Sequence, residues 1–86
     1  MKGITTSGFH FDVEDKRFND MVLLDLLVDF QQGNGTALPK ILDRIFGKEQ
    51  KAALYEHLAD EDGIVPVDKV SQEIMDIFNA KKEAKN

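Results

Sequence analysis

Residues 18–35 read FNDMVLLDLLVDFQQGNG. Asn19 or Asp20 carries the short oxygen-bearing side chain that caps a helix start, and Gly33 with Asn34-Gly35 supplies a stop. The stretch therefore predicts a helix over 19–32. On a helical wheel, Val22, Leu23, Leu26, Leu27 and Phe30 fill one broad arc, with Asp25 and Asp29 opposite. Met21, Leu24 and Val28 add a second apolar stripe at spacing i, i+3, i+7. A helix that is apolar over most of its circumference is either central to the core or meets a partner. From the residues alone both readings stand. If the second stripe is left bare, Met21, Leu24 and Val28 are the candidate partner-binding residues.

Working outward, TALPKILDRIFG (36–47) offers Thr36 as a cap and Pro39 in the first turn, where its missing N–H has no helical partner. Leu38, Ile41, Leu42, Ile45 and Phe46 form a core-facing stripe, and Gly47 ends it, which predicts a helix over 36–46. A second short helix, 48–59, has Ala53, Leu54 and Leu58 inside and Tyr55 at its margin. After a DEDG turn, Pro66 suits the first position of a helix over 66–79, with Val67, Val70, Ile74, Ile77 and Phe78 inward. Upstream, FHFDV (9–13) alternates apolar Phe9, Phe11 and Val13 with His10 and Asp12, the period of a half-buried strand. Ser7-Gly8 can fold Ile4-Thr5-Thr6 back onto it as a hairpin within 4–13. The expected fold is mainly α within an α+β class: about four short helices in one small domain, residues 1–80, with an N-terminal strand or hairpin. Residues 81–86, KKEAKN, read as a flexible lysine-rich tail.

Composition narrows the function. The chain has 86 residues, 42% of them hydrophobic, which suits one modest core and is too apolar for a disordered chain. It has no cysteine, so disulfides and thiolate metal sites are excluded. No apolar run approaches a membrane span. MKGITTSG lacks the apolar core of a signal peptide, so the expectation is a cytoplasmic protein. Sixteen acids against eleven bases give a net charge of −5, which argues against a nucleic-acid partner and favours solubility or a basic one.

DEDGIV (60–65) raises the possibility of calcium. With Gly63 at position 6 of an EF-hand loop, Asp60 falls at 3, Asp62 at 5 and Val65 at 8. Position 1 is then Leu58, position 9 Pro66 and position 12 Lys69. A cation stands where the bidentate Glu is needed, so the stretch reads as a turn, with Gly63 closing the preceding helix at positive φ. The other chemistry-bearing residues are sparse. Asp25/Asp29 and Asp60/Asp62 have no neighbouring acid or base. His10 and His57 lack ligand spacing. Ser7 and Ser71 carry no nucleophile signature, and the glycines match no phosphate loop. The expectation is a protein that is not an enzyme and holds no metal or cofactor. One competing pattern remains: Lys40, Arg44, Lys48 and Lys51 recur every three or four residues, and two short helices joined at a glycine suggest a helix-turn-helix. A small DNA-binding regulator using residues 36–59 is the alternative, opposed by the acidic balance.

The order GFHFDV, NDMVLLDLLVDF, a Gly/Asn break and then LPKILDRIFGKEQKAALYEHLADEDGIVPVDKVSQEIMDIF resembles the small tail assembly chaperones of long-tailed bacteriophages and prophages. The resemblance runs from Gly8 to Phe78. Its most telling part is Phe46-Gly47-Lys48-Glu49-Gln50, followed by Leu58, Asp60-Glu61-Asp62-Gly63 and Val65-Pro66-Val67. It implies a protein of the host bacterial cytoplasm that coats the aggregation-prone tape-measure protein and recruits tail-tube subunits during tail assembly. It also implies self-association and, in many members, a longer form made by ribosomal frameshifting. Lys81-Lys82 would suit an A-rich slippery site.

Overall fold

Alternation at 9–13 puts Phe9, Phe11 and Val13 on one face of a strand, and in the computed structural model, which describes residues 1–84, all three are buried. Strand β2 (His10–Asp12) pairs antiparallel with β1 (Lys2–Ile4) in the register Lys2↔Asp12, Gly3↔Phe11, Ile4↔His10. The hairpin thus begins two residues earlier than expected, and Thr5 and Thr6 belong to its turn. Thr5 is drawn out of the strand by its hydroxyl, which donates to Glu73 Oε1 (2.7 Å) and accepts from the Phe9 N–H (3.2 Å). Gly3 faces Phe11, whose ring occupies the space a side chain at position 3 would need: a Cβ there would lie 2.7 Å from Phe11 Cζ. Gln50 closes the outer edge of β2 like a short piece of strand, accepting from the Asp12 N–H (3.0 Å) and donating to its carbonyl (2.8 Å).

A 3-10 turn, Asp15–Phe18, leads into helix α1 (Met21–Gln31). Asp20 is the cap: its side chain accepts from the Val22 N–H at 3.0 Å. Beyond Gln31 the last carbonyls are taken up by the Gln32, Gly33 and Asn34 amides, with Gly33 at φ 97°.

Helix α2 (Ala37–Leu58) joins two expected helices into one element, so there are three α-helices among the described residues rather than about four. Gly47 still interrupts it, at φ 72°, ψ −179°, a region open essentially to glycine. The break is confined to that residue, with no loop between the halves. Thr36 stands at the cap position but makes no capping bond; its hydroxyl and N–H are held by Asn34 Oδ1 instead. Leu38, Ile41, Leu42, Ile45, Phe46, Leu54 and Leu58 are buried as the wheel predicts, whereas Ala53 is exposed. Gly63 has positive φ, 79°, but does not end α2, which stops at Leu58 with Ala59 extended.

Helix α3 (Val67–Ala84) starts one residue after Pro66, whose carbonyl accepts from the Val70 N–H. Val70, Ile74 and Ile77 are buried, but Val67, expected inside, is 69% exposed, at the open rim of a cavity it lines with Leu38, Pro39 and Leu42 of α2. The helix continues through residues 81–84, where a free tail was expected; Lys85 and Asn86 lie outside the described residues. Lys81 anchors this last turn, 3.3 Å from Asp15 Oδ1 and over the Phe18 ring at 5.5 Å, and cations suit a helix C-terminus. Both α1 and α3 pack on α2, and the hairpin side chains complete the same core. Among the described residues no helix is long and apolar enough to cross a membrane.

Candidate interaction surface

The two sides of α1 have different fates. Leu23 is buried, and Leu26, Leu27 and Phe30 pack partly against the core. Met21, Leu24 and Val28 lie on the outer side, 67%, 51% and 43% exposed. Val22, expected in the inward arc, is also half exposed, so the buried arc is narrower than the wheel implies. The cause is placement: α2 is the principal neighbour of α1 and covers only the strip centred on Leu23.

What fixes this helix is polar chemistry at its start. The Arg44 guanidinium donates to Asp20 Oδ2 through Nε (2.9 Å) and Nη2 (2.7 Å), while Arg17 donates to the Arg44 carbonyl (3.1 Å). Partial burial works against ionising Asp20, but the Arg44 guanidinium and the Val22 and Leu23 amides outweigh it and hold the carboxyl below its usual value. One carboxylate thus caps α1 and clamps it to α2.

Beside the exposed stripe, Phe18, Met21, Leu24, Leu27 and Phe78 line a shallow cleft of about 270 Å³. Phe18 and Phe78 meet edge to face at 5.7 Å. On the neighbouring side of Phe18, Lys81 lies over the ring and pairs with Asp15, whose carboxyl is held low first by its hydrogen bond and charge pairing with Lys81 and then by the N-terminal ammonium. The wheel could not reveal the participation of Phe18 and Phe78, since they lie 60 residues apart in the chain. Along the flank of the stripe run Asp25 and Asp29. Both are exposed, neither has an ion-pair partner among the described residues, and α1 itself contains no basic residue.

A second cluster joins the hairpin turn to α2 and α3. Glu73 is only 2% exposed, and its Oε1 accepts from the hydroxyls of Thr5 (2.7 Å) and Ser7 (2.9 Å). His57 Nε2 lies 3.2 Å from Ser7 Oγ and 3.1 Å from the Ser7 carbonyl, with its ring tilted over Phe9. A carbonyl only accepts, so Nε2 carries the proton there and is no base for the hydroxyl, whose own proton is directed at Glu73. His57 therefore does not activate Ser7, and the Ser-His-Glu grouping ties the turn to α2 and α3. Asp76 assists: it accepts from the Thr6 hydroxyl and N–H and from Gln72, and the Thr6 hydroxyl is the main reason its carboxyl is held low.

The turn at 60–64 is organised by Asp60. Its Oδ1 accepts from the Asp62 and Ile64 amides, both at 2.9 Å, so that oxygen faces the backbone. Of the four Lys and Arg residues on α2, Arg44 is committed to Asp20 and Lys51 to Asp43 (2.9 Å), leaving Lys40 and Lys48 exposed. His10 sits on the outer, exposed side of the hairpin, opposite Ile4.

Comparisons of the chain with protein-family models, curated proteins and solved structures found no match.

Proposed function

We propose that this chain is a non-enzymatic tail assembly chaperone of a long-tailed bacteriophage or prophage. In this reading it holds the tape-measure protein and helps bring tail-tube subunits to it in the host bacterial cytoplasm. The observation that carries the reading is the outer side of α1. A helix clamped firmly at its start and packed on its inner face leaves Met21, Leu24 and Val28 uncovered. Keeping three large apolar side chains in water is unfavourable, and such a contiguous patch is used to cover another apolar surface. The net charge of −5 keeps the protein soluble while that patch is bare. Weak contacts of this kind, repeated along a filamentous client, gain strength from multivalency. The ordered sequence resemblance from Gly8 to Phe78 supplies the client class.

The test is co-expression with the tape-measure protein encoded in the same tail gene cluster, followed by capture on a tag. Leu24→Gln with Val28→Gln keeps helix propensity and adds no charge. This pair is expected to abolish client retention while circular dichroism and Tm stay close to the parent's. Undiminished retention by the folded variant overturns the reading, as does steeply salt-dependent retention on DNA in place of the client.

A further inference from the structure

Resting on the docking role of α1 proposed above, we infer that the occupant of this face is an amphipathic helix carrying Lys or Arg beside its apolar stripe. Three observations on the molecule specify it. The first is shape. Met21, Leu24 and Val28 present a straight apolar row, and the cleft toward Phe18 and Phe78 lies along it, which is the form of surface that accepts a helix through anchors at i, i+3 or i+4 and i+7. Helix α1 is 11 residues long, so the docked segment spans two to three turns. The second is charge. Asp25 and Asp29 border the row, α1 has no base to neutralise them, and neither is paired within the described residues. Near the cleft, Lys81 is already engaged by Asp15, while Lys82 is exposed beside Phe18 and Phe78 at the other end of the row from Asp29.

The third observation decides against a second copy as occupant. Two α1 faces laid antiparallel would set the Asp25 and Asp29 carboxylates of each copy against one another, and in either orientation the two chains each carry a net charge of −5. Like charges across a seam suppress pairing, whereas a basic flank on the incoming helix turns the same carboxylates into a selectivity device.

Two synthetic helical peptides test this, each with leucines at i, i+3 and i+7 and differing only in flanking Lys or Glu. Binding to the full chain is followed by fluorescence anisotropy at low salt and at 0.5 M salt. The Lys peptide is expected to bind at least about tenfold more tightly than the Glu peptide at low salt, the difference shrinking as salt screens it. Asp25→Asn with Asp29→Asn is expected to erase the preference, and Leu24→Gln with Val28→Gln to remove binding of both peptides. Equal affinities, no binding of either peptide, or Lys-peptide binding that survives the Leu24/Val28 pair would each overturn the inference. So would sedimentation of a dimer that the Leu24/Val28 pair dissolves, since the occupant is then another copy. Failure here is separable from failure of the chaperone reading. Client capture lost through Leu24 and Val28 but blind to peptide charge sinks only the inference. A charge-selective peptide site on a chain that captures no client sinks only the tape-measure assignment.

Discussion

Replacing Gly3 by alanine should destabilise this protein, although general strand chemistry favours the opposite result. Glycine within a strand is the costlier residue, by roughly 0.5–1 kcal/mol relative to alanine, because more backbone freedom is lost on folding. Gly3 does not need positive φ, so no backbone strain opposes the change. What opposes it is Phe11. The added methyl would sit 2.7 Å from Cζ and 3.0 Å from Cε1 of a ring that is itself buried against the core, so the ring cannot swing into solvent to make room. Overpacking of this kind costs about 1–3 kcal/mol. The two effects leave a net loss of about 0–2.5 kcal/mol, centred near 1 kcal/mol, which is roughly 4–8 °C in Tm for a domain of this size. Thermal unfolding followed by circular dichroism measures it. The decisive comparison is a double-mutant cycle with Phe11→Leu, which removes the colliding end of the ring. In that background Gly3→Ala should be neutral or stabilising, giving a coupling of at least about 1 kcal/mol. A rise in Tm for Gly3→Ala in the parent chain would refute the packing argument outright.

Gly47→Ala meets no atom within 4 Å, so its whole effect is backbone strain; a loss of about 1–3 kcal/mol in urea unfolding is expected, and an unchanged midpoint would show that α2 can run straight through this position. Leu54→Ala, at a fully buried site, should cost about 2–5 kcal/mol, whereas Leu24→Ala on the exposed row should stay within about 0.5 kcal/mol; similar losses at both would place Leu24 in the core. Asp15, Asp20 and Asp76 all have lowered carboxyl pKa values in the folded protein, so their contribution is complete above the unfolded value of about 3.9 and is lost as pH falls through the lower folded values. Acid titrations should therefore show stability level on their account above about pH 5 and falling below pH 4, with a shallower fall in Asp20→Asn, which retains the capping oxygen; an Asp20→Asn profile identical to the parent's would remove Asp20 from the explanation.

Much of the core was readable because burial on a single element leaves a periodic trace. The two-residue alternation of Phe9, Phe11 and Val13 and the helical rows of Leu38 to Phe46 and Val70 to Ile77 appear in the structure with the expected side inward. What was not readable depends on where neighbours lie. Val22 and Val67 have the right type for the inside, yet both lie at the edge of what their neighbours cover and are exposed, and Ala53 is small enough to sit on either side. Burial of Glu73 could not be read from the sequence, because its hydroxyl partners are 66 and 68 residues away. The first strand lies earlier in the chain than expected for the same reason, since Thr5 answers to Glu73 rather than to the strand pattern. The apolar excess of α1 marked it as unusual. That Met21, Leu24 and Val28 form the uncovered side follows from how α2 meets the helix and how Arg44 clamps Asp20, neither of which a wheel contains.

The bonds from Thr5, Thr6 and Ser7 to Glu73 and Asp76 fix an order of events during synthesis. As the chain leaves the ribosome, α2 supplies Gln50, His57 and Phe46 to the hairpin first, but the turn at Thr5–Ser7 has no carboxylate acceptor until the last helix has been made. At about 5–20 residues per second, the wait for those roughly sixty residues is about 3–12 s. Throughout that interval the core around Phe9, Phe11 and Val13 lacks Val70, Ile74 and Ile77, so the side that α3 will cover stays open to water.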